Sequence, residues 1–244
     1  GVNELILLDL PHRGTMRKVL VRPERNGHMY VLDRATGELL SAETFAHVNV
    51  TRGVDLQTGE LRKVPEKATG TDKTISNICP AAPGAKDWQP SAYSQRTGLI
   101  YVPHNNLCMD MRATQASYVA GVPFVGAKVH MYPGPGGHRG EFSAWDPVAA
   151  KKIWHIRELF PVWSGALATA GDVVFYGTMD RWFKAVHART GEVLWQYRTG
   201  SGIVGQPITF LGPDKRQYVA VFSGVGGWAG AIVSGELDAR DGTS

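Results

Sequence analysis

The sequence has no apolar run long enough to cross a membrane and no run of like charge. A membrane-spanning helix needs about 20 predominantly apolar residues in a row, and no segment of the 244 residues provides them. Lys and Arg are scattered, so the net charge of +4 indicates a mildly basic surface that can steer an acidic partner. It does not indicate the basic stripe interleaved with aromatics that binds nucleic acid. We therefore expect no membrane span and no nucleic-acid partner.

The start of the chain has neither an initiator methionine nor a signal peptide. It opens directly on Gly1-Val2-Asn3-Glu4, and a strand-like apolar segment follows. The composition, 43% hydrophobic and 20% charged, is ordinary for a soluble globular protein. We expect the chain to be part of a longer polypeptide.

Cysteine is scarce, since only Cys79 and Cys108 occur. Two cysteines cannot form a zinc site alone, and no Cys-x-x-Cys or His-x-x-x-His spacing accompanies them. The simple interpretation is a structural disulfide, which favours an oxidising compartment. The alternative is a pair of buried free thiols.

An eleven-residue pattern recurs along the chain and predicts the fold. Residues 185–195 read A-V-H-A-R-T-G-E-V-L-W, and residues 144–154 repeat the spacing, the turn and the final tryptophan forty-one positions upstream. A weaker copy at 31–41 keeps the Asp, Thr-Gly and Glu of the turn but ends on Ser41. Each copy is typical of a strand, a tight turn and a returning strand. Recurrence near forty residues predicts a β-propeller in which the repeated tryptophan wedges between neighbouring blades.

The number of blades follows from the length. At about forty residues per blade, 244 residues supply five or six at most. The Gly/Pro/aromatic excursion at 112–139 reduces this to four or five, and its length indicates a functional segment or a lid. A second glycine-rich segment, 223–230, surrounds Trp228. We expect no helix after it, which excludes a dinucleotide-binding loop.

Two loops carry the candidate binding residues. Arg25 precedes Asn26-Gly27, the strongest short hairpin signal; taken alone, it is more simply a solvated turn residue. The irregular, Pro- and Gly-rich segment 78–90 places Lys86, Asp87 and Trp88 on a loop that enters a strand. Loop residues held on a rigid scaffold in this way are well placed for binding.

Several longer motifs carry a family resemblance, and together they are highly specific. They are Gly1-Val2-Asn3-Glu4, Arg25-Asn26-Gly27, Cys79-Pro80, Lys86-Asp87-Trp88 and the segments 131–135, 162–165, 169–171 and 224–228, together with the eleven-residue copies. Along essentially all of its length the sequence resembles the C-terminal part of the pyrroloquinoline quinone (PQQ)-dependent alcohol dehydrogenases of the methanol/ethanol dehydrogenase family. The copies are similar to that family's tryptophan-docking motif.

The resemblance implies an all-β fold in which residues 1–244 form about four or five blades, the C-terminal portion of a single eight-bladed quinoprotein β-propeller. It implies PQQ on the propeller axis beside a Ca²⁺ or lanthanide ion, which acts as a Lewis acid while a carboxylate base removes the alcohol proton. The expected reaction is oxidation of a primary alcohol to the aldehyde, with electrons passed to a cytochrome c. The expected location is the periplasm, and the expected assembly is a homodimer.

The resemblance also assigns residues on one side of the cofactor. Arg25 matches the basic residue that hydrogen-bonds the quinone oxygens, and Asp87 matches a position that is often Asn, with Trp88 as its aromatic neighbour. Trp163 and Trp228 match tryptophans at the cofactor rim. A carboxylate at Asp87 beside an acidic quinone requires Lys86 or Arg25 nearby.

Other family residues are missing or altered. The catalytic Asp is expected just before Gly1 and the metal ligands further upstream, so we assign no catalytic or metal residue to this chain and expect it alone to be inactive. His187, Ala150 and Ser41 replace the Asp, Gly and Trp of the docking motif, which weakens those joints between blades.

A second functional class stays open at this stage. The chain could belong to a catalytically silent propeller that serves as a scaffold for protein binding. Arg25, Asp87 and Trp163 argue against it, because a scaffold has no need to keep them together on loops.

Overall fold

The computed structural model describes residues 2–71, 73–122 and 125–233, which form antiparallel sheets and very little helix. Three sheets have four strands each, the number expected of a propeller blade. The first blade consists of β1 (Ile6–His12), β2 (Thr15–Pro23), β3 (His28–Asp33) and β4 (Leu39–Thr44). The second consists of β8 (Ala92–Ser94), β9 (Leu99–Asn105), β12 (Gly140–Asp146) and β13 (Lys151–Glu158). The third consists of β14 (Leu167–Ala168), β15 (Val173–Gly177), β16 (Trp182–His187) and β17 (Val193–Arg198).

A fourth blade is represented by two strands, β18 (Ile208–Leu211) and β19 (Gln217–Ala220). The described residues thus contain three complete blades and part of another, the lower of the two predicted numbers. The remaining strands lie between the first and second blades or interrupt the second. They are the hairpin β5 (Thr51–Val54) and β6 (Leu61–Lys63), and the three-stranded sheet of β7 (Thr74–Ile78), β10 (Leu107–Ala113) and β11 (Ala127–Pro133). A single 3₁₀ turn, Pro65–Lys67, follows β6.

Two of the apolar cores lie between successive blades. Ile100 and Val102 of β9 pack into the core shared with the first blade, whereas Tyr101 packs into the core shared with the third. This division follows from the strand geometry, because successive side chains point to opposite faces of a sheet. In the second core the rings of Phe142 and Tyr176 stack with their centroids 4.0 Å apart. A strand covered by a blade on each face is buried at every position, as β9 is.

The eleven-residue copies form the predicted strand, turn and strand. In all three, the register between the two strands shifts after the first residue of the copy. Asp33 and Asp146 each accept two backbone N–H groups of their turn. His187 replaces this carboxylate in the third blade, and its ring lies 3.2 Å from the Thr190 hydroxyl. The turn therefore keeps its conformation, with the His187–Thr190 contact in place of the carboxylate bonds.

The tryptophan of the second blade docks on the third, as predicted. Trp154 donates its indole N–H to the carbonyl of Ala188 at 3.0 Å. Its ring also covers Gly191, where a Cβ would lie 2.7 Å from the indole and the backbone φ of +74° favours glycine. The joint between these blades therefore requires both the large ring and the missing side chain.

The joint between the first and second blades lacks this contact. Ser41 and Ala150, which replace the tryptophan and the glycine, line a cavity of about 210 Å³ together with apolar residues of both blades. Ala150 adopts a φ of +51°, the left-handed conformation of the glycine it replaces. The two substitutions thus coincide with unfilled space at this joint, and the weakening expected from them stays a prediction.

Replacing Trp154 with alanine is expected to lower the free energy of unfolding by about 3 kcal/mol, the lower end of the range for tryptophan truncation, because the ring is partly exposed. Trp154→Phe keeps a ring over Gly191 and loses the bond to Ala188, so it should cost about 1 kcal/mol. Urea denaturation of the full-length protein measures both. Equal losses for the two variants would show that the ring does not act as a wedge.

The prediction of a disulfide is confirmed. Cys79 and Cys108 are bonded with an S–S distance of 2.02 Å, so neither is a free thiol. The bond joins the end of β7 to β10, in the sheet from which the candidate site loop departs. This sheet and its loop are therefore covalently held.

The expectation of no helix after the glycine-rich segment was wrong. Residues Gly227–Ile232 form α1, and Ala229 on it is buried against neighbouring residues. Glycine is a poor helix former, so this burial is what overrides local propensity. Because the strand pair that precedes α1, β18 with β19, is antiparallel, α1 does not belong to a parallel dinucleotide-binding unit. No helix in the described ranges has the length and apolar character needed to cross a membrane.

Candidate functional site

Arg25 lies in the tight turn between β2 and β3. The N–H of Gly27 donates to the carbonyl of Glu24 at 2.9 Å, and the N–H of Arg25 donates to the Glu24 carboxylate at 2.8 Å. Gly27 has a φ of +86°, and a Cβ there would lie 2.4 Å from Val48. The positive φ of Gly27 and its close packing against Val48 thus fix the turn, and Arg25 projects from a rigid support.

The irregular loop before β8 packs directly on this turn. Ala85 donates its N–H to the carbonyl of Arg25 at 2.8 Å and accepts the N–H of Asn105 at 2.6 Å. Gly84 has a φ of +81°, and a Cβ there would lie 2.8 Å from the Arg25 carbonyl oxygen. The loop lacks regular secondary structure, yet the N–H groups of Ala81, Gly84, Ala85 and Asp87 all have hydrogen-bond partners, which give it a defined path.

This packing brings Arg25 and Asp87 together. Their side chains form an ion pair, with Nη1 of Arg25 2.7 Å from Oδ1 of Asp87, and Nη2 donates to the carbonyl of Ala82 at 3.0 Å. Asp87 is buried, whereas 36% of the Arg25 side chain is exposed. Lys86 and Arg25 were the two candidate partners of the Asp87 carboxylate, and in the structure the partner is Arg25.

Lys86 has a different partner, which the sequence did not indicate. Its side chain is fully buried, and its ammonium group lies 2.6 Å from Oε2 of Glu4. Burial lowers the pKa of Lys86 because it disfavours the charged form, and the nearby Glu4 carboxylate opposes that shift. The other oxygen of Glu4 accepts the N–H of Ser91 at 2.9 Å. Glu4 therefore bonds to the loop on both sides of Asp87.

Trp163 is connected to Asp87 through Gln89 and Val162. Gln89 accepts the N–H of Asp87 at 3.1 Å and donates to the carbonyl of Val162 at 3.2 Å. The Trp163 ring is completely buried, and its indole N–H has no partner. It belongs to a cluster that includes Ala229 of α1, next to Trp228.

The structure therefore groups the five predicted residues unequally. Arg25 and Asp87 are in contact, and Gln89 connects Asp87 to Val162, the residue before Trp163. Trp88 follows Asp87 in sequence, Trp228 precedes Ala229 of the Trp163 cluster, and both are about half exposed, at 47% and 54%. The participants to which the sequence assigned no role are Glu4, the partner of Lys86, and Gln89.

Potential metal ligands are scarce in the part of the chain that the structure describes. The one group of three is His47 with Cys79 and Cys108, and both sulfurs are in the disulfide. Calcium and other hard cations prefer oxygen ligands. This group is therefore not a site for such an ion.

The sequence has clear relatives among PQQ enzymes. Residues 140–219 match the family model described as glucose/ethanol/alcohol dehydrogenase, beta-propeller domain. Over 99% of its length the chain is 51% identical to the lanthanide-dependent methanol dehydrogenase of Methylacidiphilum fumariolicum, of which it covers 40%. It is 41% identical over 94% of its length to methanol dehydrogenase [cytochrome c] subunit 1 of Methylorubrum extorquens, of which it covers 38%.

The fold agrees with these sequence matches. The structure superimposes on that of a europium-containing methanol dehydrogenase with a TM-score of 0.91 and 51% identity, covering 98% of this chain and 42% of the other. The chain thus spans about two fifths of the length of the relatives it matches. Over that length, the chain is similar in sequence and fold to methanol dehydrogenases, and its residues 140–219 match the β-propeller domain model of PQQ-dependent dehydrogenases.

Proposed function

We propose that the full-length protein containing this chain oxidises a primary alcohol to the aldehyde with bound PQQ, and that this chain supplies one side of the cofactor site. The observation that carries the proposal is the ion pair of Arg25 with Asp87 on two interlocked loops. Residues 1–244 would be the C-terminal portion of a single eight-bladed propeller domain, with the other blades elsewhere in the protein.

The residues of the site fit an acidic quinone. Arg25 carries five N–H donors, and its partly exposed guanidinium leaves room for an anionic ligand beside Asp87. The indole N–H of Trp163 is a buried donor without a partner. Such groups are costly to leave unpaired, so an unused donor next to a binding loop supports a ligand there. A Ca²⁺ or lanthanide ion would require further oxygen ligands from the rest of the protein.

Each residue has a distinct task in this site. Arg25 would hold a permanent positive charge against the quinone oxygens and stabilise negative charge that develops on reduction. Asp87 fixes the guanidinium in place, and Trp163, Trp88 and Trp228 would border the ring. PQQ beside the metal supplies the hydride acceptor when bound. The proton-abstracting base and the metal ligands would come from outside this chain.

The remaining assignments extend the same proposal. We place the protein in the periplasm, where a disulfide such as Cys79–Cys108 persists. Its electron acceptor would be a cytochrome c, as the name of the Methylorubrum relative says of that protein. The assembly would be a homodimer.

Dye-linked alcohol oxidation by the full-length protein tests the proposal. Apo protein is reconstituted with PQQ and with Ca²⁺ or a lanthanide ion in turn, and is assayed with methanol and ethanol. We expect quinone absorbance in the purified protein and turnover with at least one metal, and none from the 244-residue chain alone. If the full-length protein neither binds PQQ nor turns over with any metal, the silent scaffold is the better description.

A further inference from the structure

We propose that Lys86 and Glu4 form a positioning pair that holds Asp87, and through it Arg25, in place for the cofactor. The proposal rests on the proposed function for its consequence and on the contacts of these four side chains for its geometry. Neither Lys86 nor Glu4 would touch the quinone.

The geometry shows how the pair acts on the loop. Glu4 bonds to the Lys86 ammonium at 2.6 Å with one oxygen and to the Ser91 N–H at 2.9 Å with the other. It therefore clamps the six residues 86–91 at both ends. The Lys86 ammonium also lies 3.4 Å from the carbonyl oxygen of Asp87, inside the clamped segment.

Asp87 is thus restrained at three points. Arg25 holds its carboxylate, Gln89 accepts its N–H, and Lys86 lies against its carbonyl. A loop without regular structure has no ladder of hydrogen bonds to define it, so such contacts determine where its side chains point. If the clamp opens, Asp87 shifts and the guanidinium of Arg25 loses its fixed partner.

The charges explain why both members are needed. A buried ammonium without a counterion either loses its proton or destabilises the fold, and Glu4 is the carboxylate that contacts it. If Lys86 is removed instead, the Glu4 carboxylate keeps only one bond to the loop, the one from the N–H of Ser91. Removing either charge therefore releases the same segment.

The test uses the full-length protein with Lys86→Met, Glu4→Gln and Lys184→Met. Lys184 is the matched control, because this residue of the third blade forms a mostly buried ion pair at 2.6 Å with Glu158 of the second blade, outside the segment 86–91. Hydrogen exchange of residues 86–91 is measured in the apo protein, and the dissociation constant for PQQ is measured by titration. The exchange experiment requires no bound cofactor, so its outcome is independent of the proposed function.

We expect Lys86→Met and Glu4→Gln to accelerate exchange of residues 86–91 and to weaken PQQ binding by about tenfold or more, the effect typical of residues that orient a ligand group. The KM for the alcohol should change little. Lys184→Met should lower thermal stability without either effect. Glu4→Gln retains an acceptor for Ser91 and should be milder than Glu4→Ala.

Two results would overturn the inference. One is unchanged exchange of residues 86–91 in both variants. The other is PQQ affinity equal to wild type in both, with stability losses matching Lys184→Met. A wild type that fails to bind PQQ would instead overturn the proposed function, while the exchange result would still decide whether the pair holds the loop. If Lys86→Met does not fold, Glu4→Gln decides both measurements.

Discussion

Replacing Arg25 with alanine in the full-length protein is expected to lower kcat for a primary alcohol by about 100- to 1,000-fold, the loss typical when one donor to a developing negative charge is removed. The KM for the alcohol should change far less. Under the proposed function the missing charge would act on the reduced cofactor and not on the alcohol, so the transition state would lose more stabilisation than the ground state.

Two variants accompany this experiment. Arg25→Lys keeps the charge but not the two-pronged geometry that meets Asp87 and Ala82, so its kcat should be intermediate. Arg96→Ala is the control, because Arg96 forms an exposed pair with Asp172 in a turn outside the site. Turnover by Arg25→Ala equal to wild type would remove Arg25 from the site.

Replacing both Cys79 and Cys108 with serine is expected to lower the free energy of unfolding by about 3 to 4 kcal/mol, because the bond closes a loop with a sequence separation of 29. On the chain-entropy model, the loss arises because the unfolded chain gains freedom. The sheet of β7, β10 and β11 also carries the first residues of the site loop, where Ala81 donates to the carbonyl of Leu107. When the disulfide is lost, this sheet should therefore loosen first where it adjoins the site loop.

Guanidinium denaturation of the full-length protein measures this loss. Wild type treated with a reducing agent should match the double serine variant, and each single serine variant should match both. A double variant as stable as the oxidised protein would mean that the sheet is held by its packing and the bond adds nothing.

The parts of the fold that could be predicted from sequence are those set by local chemistry. The docking turns repeat because Asp33 and Asp146 cap backbone N–H groups within three residues, and such spacing is readable in a single chain. The final tryptophan could be recognised because it recurs at the same position in two copies, although the contact it makes across the joint is 34 residues away. The short helix at Gly227–Ile232 escaped prediction because burial of Ala229, and not local propensity, stabilises it.

The site was only partly predictable, since its contacts join distant positions. Arg25 and Asp87 are 62 residues apart, and nothing in either segment specifies that their loops interlock. Lys86 and Glu4 are 82 apart, and Glu4 stood out only as part of a family motif. A buried ion pair of this kind leaves no periodic signal, so it is found only when the path of the chain is known.

Because of the cavity beside Ser41 and Ala150, the joint between the first and second blades should accept substitutions more readily than the joint between the second and third. At Gly191 an added Cβ would lie 2.7 Å from the Trp154 ring, so a substitution there would force the ring to move. At Ser41 there is space for a larger residue, and core positions next to unfilled volume accept substitution more readily than packed ones. We therefore expect both natural variation and engineered stabilising substitutions to be accepted most readily at the joint between the first and second blades. This joint lies away from the loops that carry Arg25 and Asp87.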